Sequence, residues 1–155
     1  MQRRLPEIAA GTPVTTVMAS PVVTVDTEAP VRYLLRLFVT AGIGAAPVVD
    51  SRGELVGVVS KTDVLRALYE DPAFADPELA DELEEPTDTS GAGVCASNLM
   101  TPAPLTVSEG ASVAEAASIM AREHVHRLFV VGPAGSLAGV VSAMDLVNWL
   151  GGEEP

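Results

Sequence analysis

The protein has 155 residues, of which 48% are hydrophobic and only 4% are aromatic. This length supports a sizeable core, organised as one domain or two small ones. The formal net charge of -12 argues against nucleic acid and anionic membrane surfaces as partners, because both carry negative charge. Cys95 is the single cysteine, which excludes an intrachain disulfide and a thiolate metal cluster.

We expect residues 1–10 to form an N-terminal extension. Arg3 and Arg4 are not followed by an apolar core, so we expect no signal peptide. No uncharged apolar run approaches the length of a membrane-spanning helix. These features together predict a cytoplasmic protein without a membrane contact.

The first part of the chain alternates strand and helix patterns. A turn-like lead-in at 12–18 precedes a short predicted strand at 22–25. A helix follows, because its apolar residues have the spacing of one buried face: Val31, Leu34, Leu35, Phe38 and Val39. Two strands at 46–49 and 55–59, joined by a hairpin turn at 50–53, lead into a final helix over 64–68.

The connector at 70–93 differs sharply in composition from what precedes it. It contains nine acidic residues and no basic one. Residues 77–85 suit one acidic helix, and 86–93 suit a flexible linker. The simplest interpretation is a solvated spacer.

The chain then repeats itself. A shift of 82 residues aligns 11–68 with 93–150 without a gap, and sixteen of the 58 positions are identical. An ungapped match of this length indicates an internal duplication. In the second copy Ser112 and Glu115 have the spacing of a capping box and predict where its first helix starts. We therefore predict one repeat at 11–69, a second at 94–150 and a short tail at 151–155.

Both copies end their last strand with a hydroxyl that is followed three residues later by a carboxylate. The pairs are Ser60 with Asp63 and Ser142 with Asp145. Such a pair can cradle a ribose, because a carboxylate accepts hydrogen bonds from both vicinal hydroxyls. The pair can equally be a helix N-cap with an acidic residue in the first turn. Both interpretations stay open from the sequence.

The strand ends "GVVSKTD" and "GVVSAMD", with the preceding "GIGAAPVVD" and "HVHRLFVV", resemble the cystathionine-β-synthase (CBS) domain. Two such domains in tandem are similar to a CBS pair, also called a Bateman module. The resemblance implies an α+β fold of two β-α-β-β-α repeats packed with pseudo-two-fold symmetry. It also implies two clefts for adenosine-type ligands such as AMP, ADP, ATP or S-adenosylmethionine, with the aspartate holding the ribose.

Carried over position by position, the resemblance implies two unequal sites. One site is expected to contain Ser60, Lys61, Thr62, Asp63, Val94, Leu99, Val125 and Arg127. The other is expected to contain Thr12, Val17, Ile43, Gly44, His126, Val140, Ser142, Met144 and Asp145, and we favour it for a phosphorylated ligand. The His126-Arg127 pair, which the resemblance places at the junction of both clefts, resembles the phosphate clamp of AMP-type sensors.

Each member of this pair has a simpler alternative. Arg127 can be a surface side chain beside a strand, and His126 a partly buried histidine. His124 and His126 lack nearby ligands that would complete a tetrahedral set, so we expect no metal site.

No catalytic set is evident, so we expect a regulatory protein and not an enzyme, with no required cofactor. The predicted function is to bind an adenosine-type ligand and signal to an effector protein in trans, as a homodimer. The alternative is a dimerisation scaffold that binds no ligand. Seven apolar residues of the last helices either face a partner or lie in the core: Leu65, Leu68, Tyr69, Leu146, Val147, Trp149 and Leu150.

Overall fold

A computed structural model describes residues 5–70 and 94–152 of the chain. The predicted acidic helix at 77–85 and the linker at 86–93 lie outside the described residues. The elements are α1 (Leu5–Gly11), β1 (Val25–Asp26), α2 (Val31–Ala41), β2 (Ala45–Val49), β3 (Leu55–Ser60), α3 (Lys61–Glu70), α4 (Ala96–Leu99), β4 (Thr101–Pro102), β5 (Thr106–Ser108), α5 (Val113–Glu123), β6 (Arg127–Val131), β7 (Leu137–Ser142) and α6 (Ala143–Leu150). Each repeat has the predicted order of strand, helix, strand, strand and helix, which confirms the α+β class.

The chain divides into two compact units. Of the described residues, the central unit comprises 23–52, 56–70 and 94–103, and the C-terminal unit comprises 5–22, 53–55 and 104–152. The lead-in of each repeat therefore belongs to the unit that holds the strands and helices of the other repeat.

The central unit contains a four-stranded sheet in the order β1-β2-β3-β4. β1 runs parallel to β2, and β4 pairs antiparallel with β3, where Gly57 is opposite Pro102. The lead-in of the second repeat joins this unit through main-chain bonds, since the Ala96 N–H donates to Ala29 O at 2.9 Å. The buried core residues are Val25, Ala29, Val31, Leu34, Phe38, Ala46, Val48, Val59, Val64 and Ala96.

The C-terminal unit contains a three-stranded sheet in the order β5-β6-β7, with β5 parallel to β6 and β6 antiparallel to β7. The lead-in of the first repeat joins it at equivalent places. The Val14 N–H donates to Ala111 O at 2.8 Å, and Ala19 forms a bridge to Val140 beside β7. The buried core residues are Val14, Val17, Val107, Val113, Ala116, Met120, Leu128, Val130, Val141 and Leu146.

The first helix of each repeat buries most of its predicted apolar face, but Val39 of α2 and Ala117 and Ala121 of α5 are exposed. The Glu115 N–H donates to Ser112 Oγ at 3.2 Å and the Ser112 N–H donates to Glu115 Oε2 at 2.8 Å, which confirms the predicted capping box of α5. The prediction that Val39 lies on the buried face of α2 is wrong, because Val39 is 78% exposed. At about 100° per residue, Val39 lies roughly 140° around the helix from buried Leu34.

Two glycines allow the lead-ins to approach the last strands. A Cβ added at Gly139 would lie 2.6 Å from Met18 Sδ and 2.8 Å from the main-chain oxygen of Ala19. A Cβ at Gly57 would collide with Met100 Sδ in the same way. The methionine side chain can move, but the Ala19 main chain is held by two hydrogen bonds with Val140, at 2.8 and 3.1 Å. Glycine therefore stands at this position in both repeats because the close packing leaves no room for a Cβ.

We predict that Gly139→Ala lowers the free energy of unfolding by about 1–3 kcal/mol, because the new methyl group displaces a hydrogen-bonded main chain. Gly110→Ala is the matched control, since its Cβ would meet only Ser108 Oγ at 3.7 Å. Urea unfolding of both variants measures the difference. Equal stability of the two variants would contradict the close approach.

Candidate ligand-binding site

The Ser142–Asp145 pair forms a closed set of hydrogen bonds at the start of α6. Both the N–H and the Oγ–H of Ser142 donate to Asp145 Oδ2, at 2.7 and 2.8 Å. In return, the Asp145 N–H donates to Ser142 Oγ at 3.1 Å. The carboxylate is thus fixed by one oxygen. Within residues 5–70 and 94–152, Asp145 Oδ1 has no hydrogen-bond or ion-pair partner.

The Ser60–Asp63 pair repeats this geometry at the start of α3. The N–H and Oγ–H of Ser60 each donate to Asp63 Oδ2 at 2.8 Å, and the Asp63 N–H donates to Ser60 Oγ at 3.1 Å. One difference concerns the other carboxylate oxygen, because Arg66 Nη1 lies 3.9 Å from Asp63 Oδ1. Each serine is therefore a helix N-cap and each aspartate the acidic first-turn residue that completes a capping box, as one of the two interpretations predicted. A cap that uses a single oxygen leaves the second oxygen able to accept from a ligand.

The residues that precede β2 and β6 form main-chain hydrogen bonds with the first residues of α3 and α6, respectively. The Ala143 N–H donates to His126 O at 2.8 Å, and the Lys61 N–H donates to Gly44 O at 2.8 Å. Arg127 is opposite Ser142 in the antiparallel pair of β6 and β7, so the two side chains point to the same side of the sheet. Arg127 and His126 are both exposed, so His126 is not the partly buried histidine of the alternative interpretation.

Most residues predicted for the Asp145 site lie in the C-terminal unit. They are Thr12, Val17, His126, Val140, Ser142, Met144 and Asp145, whereas Ile43 and Gly44 belong to the central unit. Met144 is 62% exposed, and Thr12 is half-buried with its Oγ1–H donating to Ile8 O at 2.8 Å. Val17 is 1% exposed and packs in the core, so its predicted adenine contact would require this segment to move.

The residues predicted for the Asp63 site divide in a similar way. Ser60, Lys61, Thr62, Asp63, Val94 and Leu99 lie in the central unit, whereas Val125 and Arg127 belong to the C-terminal unit. Val94 and Leu99 are half-buried and pack against the central core. Lys61 and Thr62 are exposed in the first turn of α3. The part of each site that would come from the other unit stays a prediction.

The structure also contains an open groove of about 530 Å³ between α5 and α6, which the sequence did not predict. It is lined by Ala117, Met120, Ala121, His124, Val125, His126, Ala143, Leu146 and Val147. The only feature of the sequence that could have indicated this groove is the small alanine residues on both helices. His126 thus lines this groove, while Ser142 and Asp145 do not.

Two further observations concern possible metal ligands and helix length among the described residues. Across 5–70 and 94–152, no three His, Cys, Asp or Glu side chains are grouped closely enough to hold a metal ion. Over the same ranges, no helix has both the length and the apolar character that crossing a bilayer demands.

Solved structures similar to this chain share its fold. The CBS domain of a CBS domain containing membrane protein from Sphaerobacter thermophilus is 30% identical, with a TM-score of 0.70, over 92% of this chain and 90% of that one. The structure of CBSX2 in complex with AMP is 30% identical, with a TM-score of 0.68, over 90% and 96%. The CBS domain pair of MJ0100, in complex with 5'-methylthioadenosine and S-adenosyl-L-methionine, is 20% identical and shows the fold alone, with a TM-score of 0.67 over 91% and 97%.

Curated relatives are mostly longer proteins. Uncharacterized protein MJ1225 of Methanocaldococcus jannaschii is 26% identical over 94% of this chain and 45% of its own length. The human 5'-AMP-activated protein kinase subunit gamma-3 is 31% identical over 79% of this chain and 23% of its own length. The chain spans less than half of each of these two relatives.

A sequence model of the family described as CBS domain matches the chain twice, at residues 14–70 and 96–152. These two segments cover more than half of the chain and coincide with the two copies of the duplication. The chain belongs to the CBS-domain family and carries two CBS domains in tandem.

Proposed function

We propose that this CBS pair is a regulatory module that binds an adenosine-type ligand, with the ribose on Asp145. The observation that carries the proposal is the carboxylate of Asp145, which is fixed through Oδ2 and keeps Oδ1 available. The AMP complex of CBSX2, a similar CBS structure at 30% identity, supports adenylates as the ligand class.

The Asp145 site is the better candidate for a phosphorylated ligand. Arg127, opposite Ser142, supplies a planar cation that suits a phosphate. At the equivalent position the first repeat has Ala45, and Arg66 Nη1 lies 3.9 Å from Asp63 Oδ1. Lys61 adds a point charge in the central unit. The two sites therefore differ in charge, and we propose that they differ in affinity.

Ligand binding would couple the two repeats, because Thr12 of the first repeat and Asp145 of the second lie in one unit. A ligand that contacts both residues favours the arrangement in which both contacts are made. We propose that an effector protein in trans responds to this change. A role as a regulator and not as a catalyst fits the absence of a catalytic set in the sequence.

We predict that AMP stabilises the protein by about 2.7 kcal/mol at a concentration 100-fold above its dissociation constant. The same experiment tests ADP, ATP and S-adenosylmethionine, and it uses GMP as the control for recognition of the base. Thermal unfolding measures the shift, and calorimetry measures the affinity. A protein whose unfolding none of these compounds alters is the dimerisation scaffold of the alternative hypothesis.

The ribose contact has a sharper test. We predict that 2'-deoxy-AMP binds about tenfold or more weakly than AMP, because a hydrogen bond to a charged carboxylate is lost. In Asp145→Asn this difference should largely disappear, since the charged acceptor is already missing. Asp63→Asn is the matched control and should retain the preference for AMP. A preference that persists in Asp145→Asn and is lost in Asp63→Asn assigns the ribose to the other aspartate.

The contribution of Asp145 to stability must be measured separately from its contribution to ligand binding. We predict that Asp145→Ala lowers the free energy of unfolding by about 0.5–2 kcal/mol without ligand, because two donors of Ser142 lose their acceptor. Asp145→Asn should cost less, since its amide oxygen can still accept both bonds. Urea unfolding checks the order of the two variants. If Asn costs as much as Ala, the cap depends on charge and Asp145→Asn is no longer a neutral probe of binding.

The last helix supports the proposed homodimer. Met144, Val147 and Leu150 are each more than half exposed and lie three residues apart on α6. By contrast, Leu146 is buried, and Trp149 and Leu68 are half-buried. Three exposed apolar residues on one helix favour an association surface.

We predict that Val147→Asp converts a dimer into a monomer in sedimentation experiments, because the charge would be buried at the interface. Val39→Asp is the matched control, since Val39 is also exposed but lies on α2. Both variants should fold. A wild-type protein that sediments as a monomer rules the homodimer out.

A further inference from the structure

The two capping boxes differ in the residue that follows each aspartate by three positions. In α3 this residue is Arg66, and the spacing places its side chain on the same face of the helix as Asp63. The equivalent residue of α6, three positions after Asp145, is Asn148. The neighbour of the carboxylate is thus a cation in the first repeat and an uncharged amide in the second.

Arg66 lies near the one carboxylate oxygen that its capping box leaves open. Its Nη1 is 3.9 Å from Asp63 Oδ1, whereas the two donors of Ser60 bind Oδ2. The side chain of Asp63 is only 20% exposed, while that of Arg66 is 62% exposed and extends into solvent. By contrast, Asp145 Oδ1 has no hydrogen-bond or ion-pair partner among the described residues. The acceptor proposed for the ribose is therefore paired in the first repeat and free in the second.

We propose that Arg66 competes with the ribose of a ligand for Asp63 Oδ1, so that Asp63 binds a ribose more weakly than Asp145 does. This inference rests on the proposed function, in which a ribose hydroxyl donates to the open oxygen of a capping box. The hydroxyl must displace the guanidinium before it can reach the oxygen. An ion pair with an exposed arginine is weak, so the competition changes affinity by a factor of about two to five. The pair Arg66 and Asn148 thus makes the two ribose positions unequal, whether or not the ligand carries a phosphate.

A guanidinium beside a nucleotide site has a second possible role, which is to bind the phosphate of the ligand. The two roles predict opposite results for adenosine, which has the ribose but no phosphate. If Arg66 competes with the ribose, its removal strengthens the binding of adenosine. If Arg66 binds phosphate, its removal leaves the affinity for adenosine unchanged and weakens the binding of AMP. Adenosine is therefore the probe that isolates the ribose contact.

The test measures adenosine binding to the full chain by calorimetry and exchanges the two residues between the repeats. In the Asp145→Asn protein, where Asp63 is the remaining carboxylate, the added change Arg66→Asn should tighten binding about two- to fivefold. In the Asp63→Asn protein, Asn148→Arg should weaken binding by a similar factor. Each exchange introduces a residue that the same helix position has in the other repeat, so the variants should fold. Arg36→Ser is the matched control, because it removes an exposed arginine of α2 and should leave the affinity unchanged.

The salt dependence gives a second measurement of the same competition. In the Asp145→Asn protein, adenosine should bind more tightly as the NaCl concentration rises, because salt screens the ion pair that the ribose displaces. This dependence should disappear once Arg66→Asn is added. A residue that only stabilises α3 would not produce it.

Three results would overturn the inference while the proposed function stands. Adenosine that binds the wild type but gains no affinity from Arg66→Asn excludes the competition. An equal gain in Arg36→Ser reduces the effect to general electrostatics. Weaker binding of AMP with unchanged binding of adenosine makes Arg66 a phosphate contact. If adenosine binds neither the wild type nor any variant, the proposed function fails and this inference fails with it.

Discussion

The exchange of lead-ins between the two repeats is the constraint on which the structure depends. Val14 and Ala96 are each completely buried in the unit built from the other repeat. Their N–H groups donate to Ala111 O and Ala29 O at 2.8 and 2.9 Å. Because a buried main-chain group without a partner is costly, neither repeat can complete its core and its hydrogen bonds alone. The CBS pair is therefore the smallest complete arrangement, and each unit contains residues of both repeats.

The capping box that each Ser–Asp pair forms at the start of a helix explains how one short motif can serve both folding and binding. Oδ2 of Asp145 is held by two hydrogen bonds, which fix the direction in which Oδ1 points. A group that is already oriented loses little further freedom when a ligand binds. The cap and the ribose cradle are thus compatible interpretations. The capping box of Ser60 and Asp63 is the same, but Arg66 lies beside Asp63 Oδ1. The duplication has therefore produced two similar but unequal candidate sites.

The sequence predicted the local structure well and the long-range structure poorly. Element order follows from apolar periodicity, and the start of α5 follows from the capping box of Ser112 and Glu115. The placement of Val94 and Leu99 beside the first repeat was predicted only from the resemblance to CBS domains. The segment that contains them pairs with the first repeat through the two-residue strand β4, and so short a strand leaves no pattern in the sequence. Val17 and Val39 illustrate the same limit. Val17 lies in a short turn without periodic context, and Val39 lies at the edge of the apolar spacing of α2, so tertiary packing decides which of the two valines is buried.

The sequence also left the use of the duplicated surfaces undecided. The motif residues Ser60, Asp63, Ser142 and Asp145 were found because they are identical in both repeats. For Leu65 and Tyr69 the sequence left open whether they face a partner or lie in the core, and only their exposure of 54% and 93% decides against the core. Identity between the repeats thus marks shared packing and shared chemistry.

A crystal structure of the protein grown with AMP is the most direct test of the central claim. The account predicts that a ribose hydroxyl lies within hydrogen-bond distance of Asp145 Oδ1, while Oδ2 still accepts from Ser142. A structure in which AMP is bound elsewhere, with Asp145 Oδ1 facing only solvent, would contradict it.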